Sequence, residues 1–310
     1  MISRVLGQVV RGFLMGASDV VPGVSGGTVA LILGIYSELI KTISTGSKAL
    51  VRLCKGDIKG FVTFFKAVNW LFLIPLLVGI FSAVIILAGL IETLLHDHPE
   101  SMAGLFFGLV IGSIVVARSL LQTPTGAHGA IVLVIGVITF FVLGFQSGPI
   151  AEPGAIALIV SGALAVSALI LPGISGSFIL LIIGMYSAVL NAVDERIFSQ
   201  IALVGIGAIV GLALFSQLLN HLLDTYGDTV MAVLIGLMFG SLRVLWPWPN
   251  GVGIIEPDEI ISGTGLELPN GAPFVLPVIL AVVSAIAVVV ISSLAQPSNE
   301  SAPAETAAFG

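Results

Sequence analysis

Two stretches of this chain carry the same interruption. Pro22-Gly-Val-Ser-Gly-Gly-Thr-Val-Ala-Leu-Ile-Leu-Gly-Ile-Tyr-Ser37 and Pro172-Gly-Ile-Ser-Gly-Ser-Phe-Ile-Leu-Leu-Ile-Ile-Gly-Met-Tyr-Ser187 align at an offset of 150 without a gap, and 9 of the 16 positions are identical. Each copy lies inside a long apolar segment, 5–40 and 155–193. Proline removes a backbone donor and clashes with the preceding helical turn, and glycine relaxes the chain. Each segment therefore reads as two half-helices meeting at a break, at Pro22-Gly23 and at Pro172-Gly173. The halves are short, which predicts a re-entrant hairpin in place of two full crossings. Broken backbone at membrane depth has to be buried in protein or face a water-filled cavity.

That reading presumes a membrane, and composition supplies it. Of 310 residues, 57% are hydrophobic and 9% charged, with a mean hydropathy of +1.17. A soluble domain carries about 25% charged residues. A crossing helix needs about 20 apolar residues, and six segments besides the hairpins qualify: Trp70–Ile91, Met102–Ala117, Ala130–Phe145, Gln200–Leu223, Thr229–Trp246 and Phe274–Leu294. The predicted class is an all-α polytopic integral membrane protein. Of the 11 Lys and Arg, eight precede residue 67. Arg4 and Arg11 lie before the first break, and Lys41, Lys48, Arg52, Lys55, Lys59 and Lys66 follow it, so both ends of the first hairpin are expected on the cytoplasmic side. The loops around His98 and Glu259 lack Lys and Arg and are expected outside. No basic stripe suits nucleic acid. Cys54 is the only cysteine, which leaves no intramolecular disulfide and no cysteine metal cluster; no metal site is expected. Arg11 interrupts the first apolar stretch, and no cleavable signal peptide is expected.

Three spans lie between the two hairpins. Because three is odd, the second hairpin must enter from the side opposite the first. The chain thus divides into 1–150, with its hairpin at 5–40, a basic cytoplasmic loop at 41–69 and three spans, and 151–295, with its hairpin at 155–193 and three spans. Residues 296–310 read as a disordered cytoplasmic tail. A weaker echo, Gly108-Leu-Val-Ile-Gly-Ser113 against Gly236-Leu-Met-Phe-Gly-Ser241, recurs in the two halves. Inverted repeats with paired broken helices are a common transporter plan, with substrate held near the midplane.

At each break a new half-helix opens, near Ser25, Gly26, Gly27 and Thr28 in the first copy and near Ser175, Gly176 and Ser177 in the second. Unpaired N–H groups, glycine for close approach and hydroxyl donors suit phosphate or carboxylate. The competing reading is structural: serines that cap helices and glycines that permit tight packing. An anion in low dielectric also wants a cation. Arg118 and Arg243 each follow the Gly-x-x-x-Gly-Ser echo and could grip phosphate through a fork, or snorkel to an interface. Asp19 precedes the first break and faces Leu169 in the alignment. A carboxylate there is costly unless paired, hydrated or protonated, so it is either a coupling group for H⁺ or Na⁺ or a cap for loop N–H groups. Glu38 and Lys41 are spaced to pair on a helix.

Ser18-Asp19-Val-Val-Pro22-Gly-Val-Ser-Gly-Gly-Thr28, Leu171-Pro-Gly-Ile-Ser-Gly-Ser177 and Gly240-Ser-Leu-Arg-Val-Leu-Trp-Pro-Trp248 together resemble the PopT-type polyprenyl-phosphate translocases, formerly a bacterial membrane family of unknown function. The resemblance runs from about residue 4 to 295. It implies translocation of undecaprenyl phosphate across the bacterial cytoplasmic (inner) membrane, returning the lipid carrier to the cytoplasmic leaflet for cell-wall biogenesis. The charge pattern places both termini in the cytoplasm, no cofactor and no catalytic residue is expected, and homo-oligomerisation stays open. The resemblance implies a polyprenyl-phosphate ligand. It also supports placing the phosphate at the two Pro-Gly-x-Ser-Gly elements. Two alternatives stay open. Polyprenyl-pyrophosphate phosphatases also resemble the chain, but their element carries an arginine after the serine and a glutamate pair four apart; Gly26 and Ser177 stand near that arginine's place here. A small-anion transporter or channel is the other.

Overall fold

The structure is a computed structural model that describes residues 2–20, 25–144, 150, 153–248, 266–269 and 274–295. Pro22 and Gly23, the loop around Glu259 and the tail from 296 lie outside the described residues. Every regular element among the described residues is helical.

The two matched segments fold alike. Helix α1 (Ile2–Asp19) leads to the short α2 (Gly26–Ile32) and then to α3 (Tyr36–Cys54). At an offset of 150, α8 (Ala155–Leu169) leads to α9 (Gly176–Ile182) and α10 (Tyr186–Asp194). Both short helices end in the same turn. Gly34 (φ +68) and Gly184 (φ +71) adopt the left-handed conformation that glycine accepts without strain. The N–H groups of Gly34 and Ile35 bond Leu31 and Ala30 carbonyls, and those of Gly184 and Met185 bond Leu181 and Leu180 carbonyls, a Schellman closure in each case. At the second site the chain bends by 116° between α9 and α10. The α8–α9 pair is a hairpin: a Cβ on Gly176 would lie 2.6 Å from the Ala165 carbonyl oxygen, and the Ile150 N–H, before α8, donates to the Gly184 carbonyl, after α9, at 2.9 Å.

Between these segments run α4 (Ile58–Ala67), α5 (Trp70–Asp97), α6 (Pro99–Ser119) and α7 (Gly126–Val142); after them come α11 (Phe198–Ser241) and α12 (Val275–Ala295). Helix α7 starts four residues before its apolar run because Thr125 and His128 form a capping box. The 44 residues of α11 would extend roughly 66 Å as one straight helix, about twice the hydrocarbon thickness. Tyr226 (φ −130, ψ 43) interrupts it, between the two segments that the sequence assigns to separate spans. On length and apolarity alone four helices qualify as crossings, α5, α6, α11 and most of α12, or five with the bent α9–α10 pair. The six expected crossings require α11 to count twice and the shorter α7 to be included.

Glycine seams fix how the long helices pack. Gly12 and Gly16 of α1 lie against Leu76 and Ile80 of α5, and Gly207 and Gly211 of α11 lie against Ile159 and Ala163 of α8. Gly104, Gly108 and Gly112 of α6 lie against Pro277, Ala281 and Ala285 of α12. Gly236 and Gly240 of α11 lie against Val132 and Gly136 of α7. In each pair both chains advance in the same sense, so all four seams join parallel helices. A side chain at these glycines would overlap the facing backbone or the base of a facing side chain. That close approach is how apolar helices associate where lipid offers no hydrophobic contrast. The Gly-x-x-x-Gly-Ser echo is therefore a packing motif in both places.

Candidate functional site

The two breaks meet. Leu169 and Ile170 end α8, and Pro172 just beyond them offers no N–H to continue the ladder. Their carbonyls find donors in the other break. The Ser25 hydroxyl donates to the Leu169 carbonyl at 2.8 Å, and the Tyr36 hydroxyl donates to the Ile170 carbonyl at 3.0 Å. In return the Gly173 N–H, held at φ +83, donates to Thr28 Oγ1 at 2.9 Å. Ser25 also caps α2 by accepting the Gly27 N–H at 3.1 Å. Ser25 and Thr28 are fully buried. Leaving a buried carbonyl unpaired costs about 1–3 kcal/mol, so these hydroxyls brace the junction.

Asp19 lies at the same junction. Its carboxylate accepts the Gly26 N–H at 2.6 Å, and so occupies the amide that the sequence assigns to an incoming anion. A Cβ on Gly26 would come within 2.6 Å of Asp19 Oδ2, and one on Gly27 within 3.0 Å of the Ile170 carbonyl. The second break differs. Ser175 and Ser177 hydroxyls bond each other at 2.8 Å; Ser175 is buried and Ser177 exposed.

The arginines lie at some remove. Arg118 is exposed in the last turn of α6, two residues beyond Val116, which packs on Ile32 of α2. The Arg243 guanidinium lies over the Phe140 ring, 4.8 Å from its centroid. Its chain neighbours Ser241 and Val244 share a small cavity with Gly173 and Ser175. Each arginine thus follows a residue that packs on one break, yet neither lines the cavities that adjoin the junction. Glu38 accepts from Asn69 Nδ2 at 2.8 Å, tying α3 to the start of α5, where the sequence suggested Lys41 as its partner.

Two larger cavities lie by the junction, one against Asp19 and Gly26 and the other reaching it at Tyr36. One, of about 560 Å³, has Asp19, Gly26, Gly27, Leu169 and Ile170 in its wall and is otherwise apolar apart from Thr42 and Ser47. The other, of about 1180 Å³, is polar: Glu38, Lys41, His128, Asn220, Asp224 and Asp228 contribute to it. Thr42 lines both. The sequence pointed to the breaks but missed Tyr36 as a donor. The signal was present: Pro172 predicts orphaned carbonyls before it, and a break needs partners for them.

A helical fold with several membrane-length apolar helices and a buried polar junction in the wall of an apolar cavity defines a multi-pass membrane protein. Residues 15–259 match the undecaprenyl phosphate translocase-like family, and the chain belongs to that family. It is 41% identical over 244 residues to a polyprenyl-phosphate transporter of Vibrio cholerae, covering 78% of each chain. It is 31% identical over 257 residues to a polyprenyl-phosphate transporter of Staphylococcus aureus, covering 77% of this chain and 86% of the relative. No solved structure matches the chain.

Proposed function

We propose that this protein carries a polyprenyl phosphate, undecaprenyl phosphate in the cell, across the bacterial inner membrane and returns it to the cytoplasmic leaflet, without chemical change to the lipid. The observation that carries this reading is the convergence of both breaks on one buried polar point in the wall of an apolar cavity, with a second, more polar cavity reaching Tyr36 at its edge. A phosphate crossing bare hydrocarbon loses its hydration, a penalty of at least several kcal/mol for a buried ion. A junction of N–H groups and hydroxyls lowers that penalty, and an apolar wall tolerates the lipid's tail.

The architecture proposed is an inverted repeat of 1–150 and 151–295. The parallel seams support it. Short links join α5 to α6 and α6 to α7, and α11 breaks at Tyr226. If each reverses the chain, α1, α5, α7 and the second part of α11 run one way. Then α6, α8, the first part of α11 and α12 run the other. The matched helices α1 and α8 are then opposed, and there are six crossings besides the hairpins. With residues 41–69 cytoplasmic by their lysines and arginines, both termini are cytoplasmic, Arg118 lies toward the cytoplasm and Arg243 toward the outside. The arginines then flank the route, one near each face, and meet the phosphate as it arrives and leaves.

In the site itself, Gly26, once Asp19 leaves its amide, and the Ser175–Ser177 stretch present the phosphate with backbone N–H groups; Gly27, whose own N–H stays on Ser25, allows the close approach, with Ser25 and Thr28 holding the geometry. Pro22, Gly23, Pro172 and Gly173 make the breaks. Asp19 is the coupling group. Two like charges 4 Å apart repel by about 4 kcal/mol at an effective dielectric of 20, so phosphate loading at Gly26 is favoured when Asp19 binds a proton or Na⁺ or swings away.

Reconstitution tests the function: vesicles containing the protein should translocate undecaprenyl phosphate faster than empty vesicles, with its phosphate intact. Equal rates would contradict it. Cysteine labelling in a Cys54-free background tests the architecture. Cysteines at positions 55 and 122 should label from the cytoplasm and those at 98 and 259 from outside; labelling of 55 and 259 from one side would overturn the inverted repeat.

A further inference from the structure

We infer that the apolar cavity at the junction is a binding slot for the first isoprenoid units of the lipid tail, so that this part of the tail enters the protein with its phosphate instead of staying in the bilayer. The inference rests on the polyprenyl-phosphate reading above. The cavity of about 560 Å³ falls within the ~300–1,000 Å³ typical of small-ligand sites. Its polar end is the place where the breaks meet, so a phosphate held there has the first carbons of its tail in the slot.

The walls suit a branched chain. Gly46, Ala49 and Ala213 leave width, while Phe61, Phe65 and Trp70 supply bulk. The aromatic side comes from α4 and the residues that follow it. This helix has no buried residue, and Ile58 and Val62 on it are exposed to 67% and 40%. An amphipathic helix of that kind lies in a membrane interface. It is fastened by the Trp70 indole N–H, which donates to the Phe65 carbonyl at 2.8 Å, and by the contact of their rings, 4.7 Å between centroids. The slot is thus walled on one side by an interfacial helix, where a tail can enter from the leaflet.

A tail moving from lipid into such a slot gains no hydrophobic energy, because both surroundings are apolar. The slot must select by shape, and a steric test is the direct one. Gly46 is suited to it: a Cβ there meets only Val68 Cγ2, at 3.9 Å, so a phenylalanine can project into the cavity without striking backbone. The control is Gly89→Phe on an exposed face of α5, where a Cβ meets nothing within 4 Å.

The experiment uses the full chain in proteoliposomes with an undecaprenyl phosphate bearing a diazirine on its phosphate-proximal isoprene. We expect photolabel on peptides spanning Phe61–Trp70 and on α3. Gly46→Phe should lose most of that label and transport at least tenfold more slowly, with Gly89→Phe unchanged. Label confined to the outer faces of α5 and α12, or an unimpaired Gly46→Phe that labels as wild type does, would overturn the slot. So would suppression of the label by excess phosphatidic acid as effective as that by unlabelled undecaprenyl phosphate, since the groove would then take any acyl chain. Failure of the wild type to transport would overturn the transport reading alone, because the photolabel reads the slot either way.

Discussion

The short helices that follow the two breaks close alike, and the junction groups around them differ in chemistry. Each ends with the same glycine-closed turn, at Gly34 and at Gly184. The first break sends two hydroxyls across to the carbonyls of the second and holds a carboxylate on its own amide. The second returns one N–H, and its serines bond each other. All seven residues of α2 are buried, against Gly176, Phe178 and Leu180 in α9. The two matched segments thus share helix boundaries and a closing turn, and the first supplies more of the side-chain chemistry at the junction. The copies differ in charge at one aligned position beside the junction, Asp19 against Leu169.

The largest difference between the two sites is expected at the helix-opening glycines. Gly176→Val would drive a side chain into the Ala165 backbone, 2.6 Å from a bare Cβ, whereas the same distance at Gly26 is to the movable Asp19 carboxylate. Gly176→Val should cost several kcal/mol and lower the thermal midpoint in detergent sharply. Gly26→Ala should fold with little loss and instead weaken lipid-phosphate binding. Equal melting of the two variants would show that the second hairpin is not held as described.

A smaller effect is expected from the braces. Ser25→Ala strips the donor from the buried Leu169 carbonyl and should cost about 1–3 kcal/mol. Ser177→Ala removes a partly exposed mutual bond and should stay within about 0.5 kcal/mol. Denaturation of both variants under one condition decides this, and a larger loss from Ser177→Ala would reverse the assignment of roles. Smallest are the arginines. Arg118→Lys and Arg243→Lys keep charge and lose the fork, so each should slow transport by a few-fold, with alanine worse. If lysine and alanine both leave transport unchanged, that arginine only anchors its helix end.

Much of the frame was legible because it is written locally. The Pro-Gly pairs mark the breaks, the glycine echo marks the seams, and the gapless alignment anticipates identical boundaries for α2 and α9. What escaped the sequence is what only assembly decides. Nothing near Ser25 or Tyr36 names Leu169 and Ile170 as acceptors, since those contacts span 144 and 134 residues. Apolarity alone started α7 too late, because the Thr125–His128 capping box is polar. The arginines looked like first partners of the phosphate because charge is scarce in this chain. The structure sets them beside the packing residues of each break and away from the junction, where backbone and hydroxyl groups prevail.

If Asp19, which faces Leu169 in the matched segment, is the coupling group, its carboxylate is what ties lipid movement to an ion gradient. The measurement is translocation of undecaprenyl phosphate in proteoliposomes by the wild type and by Asp19→Asn, with proton and Na⁺ gradients varied separately. The account predicts that wild-type transport responds to one of the two gradients, and that Asp19→Asn still binds the lipid and responds to neither. A variant whose gradient response equals that of the wild type would contradict it and leave Asp19 as a cap on the Gly26 amide.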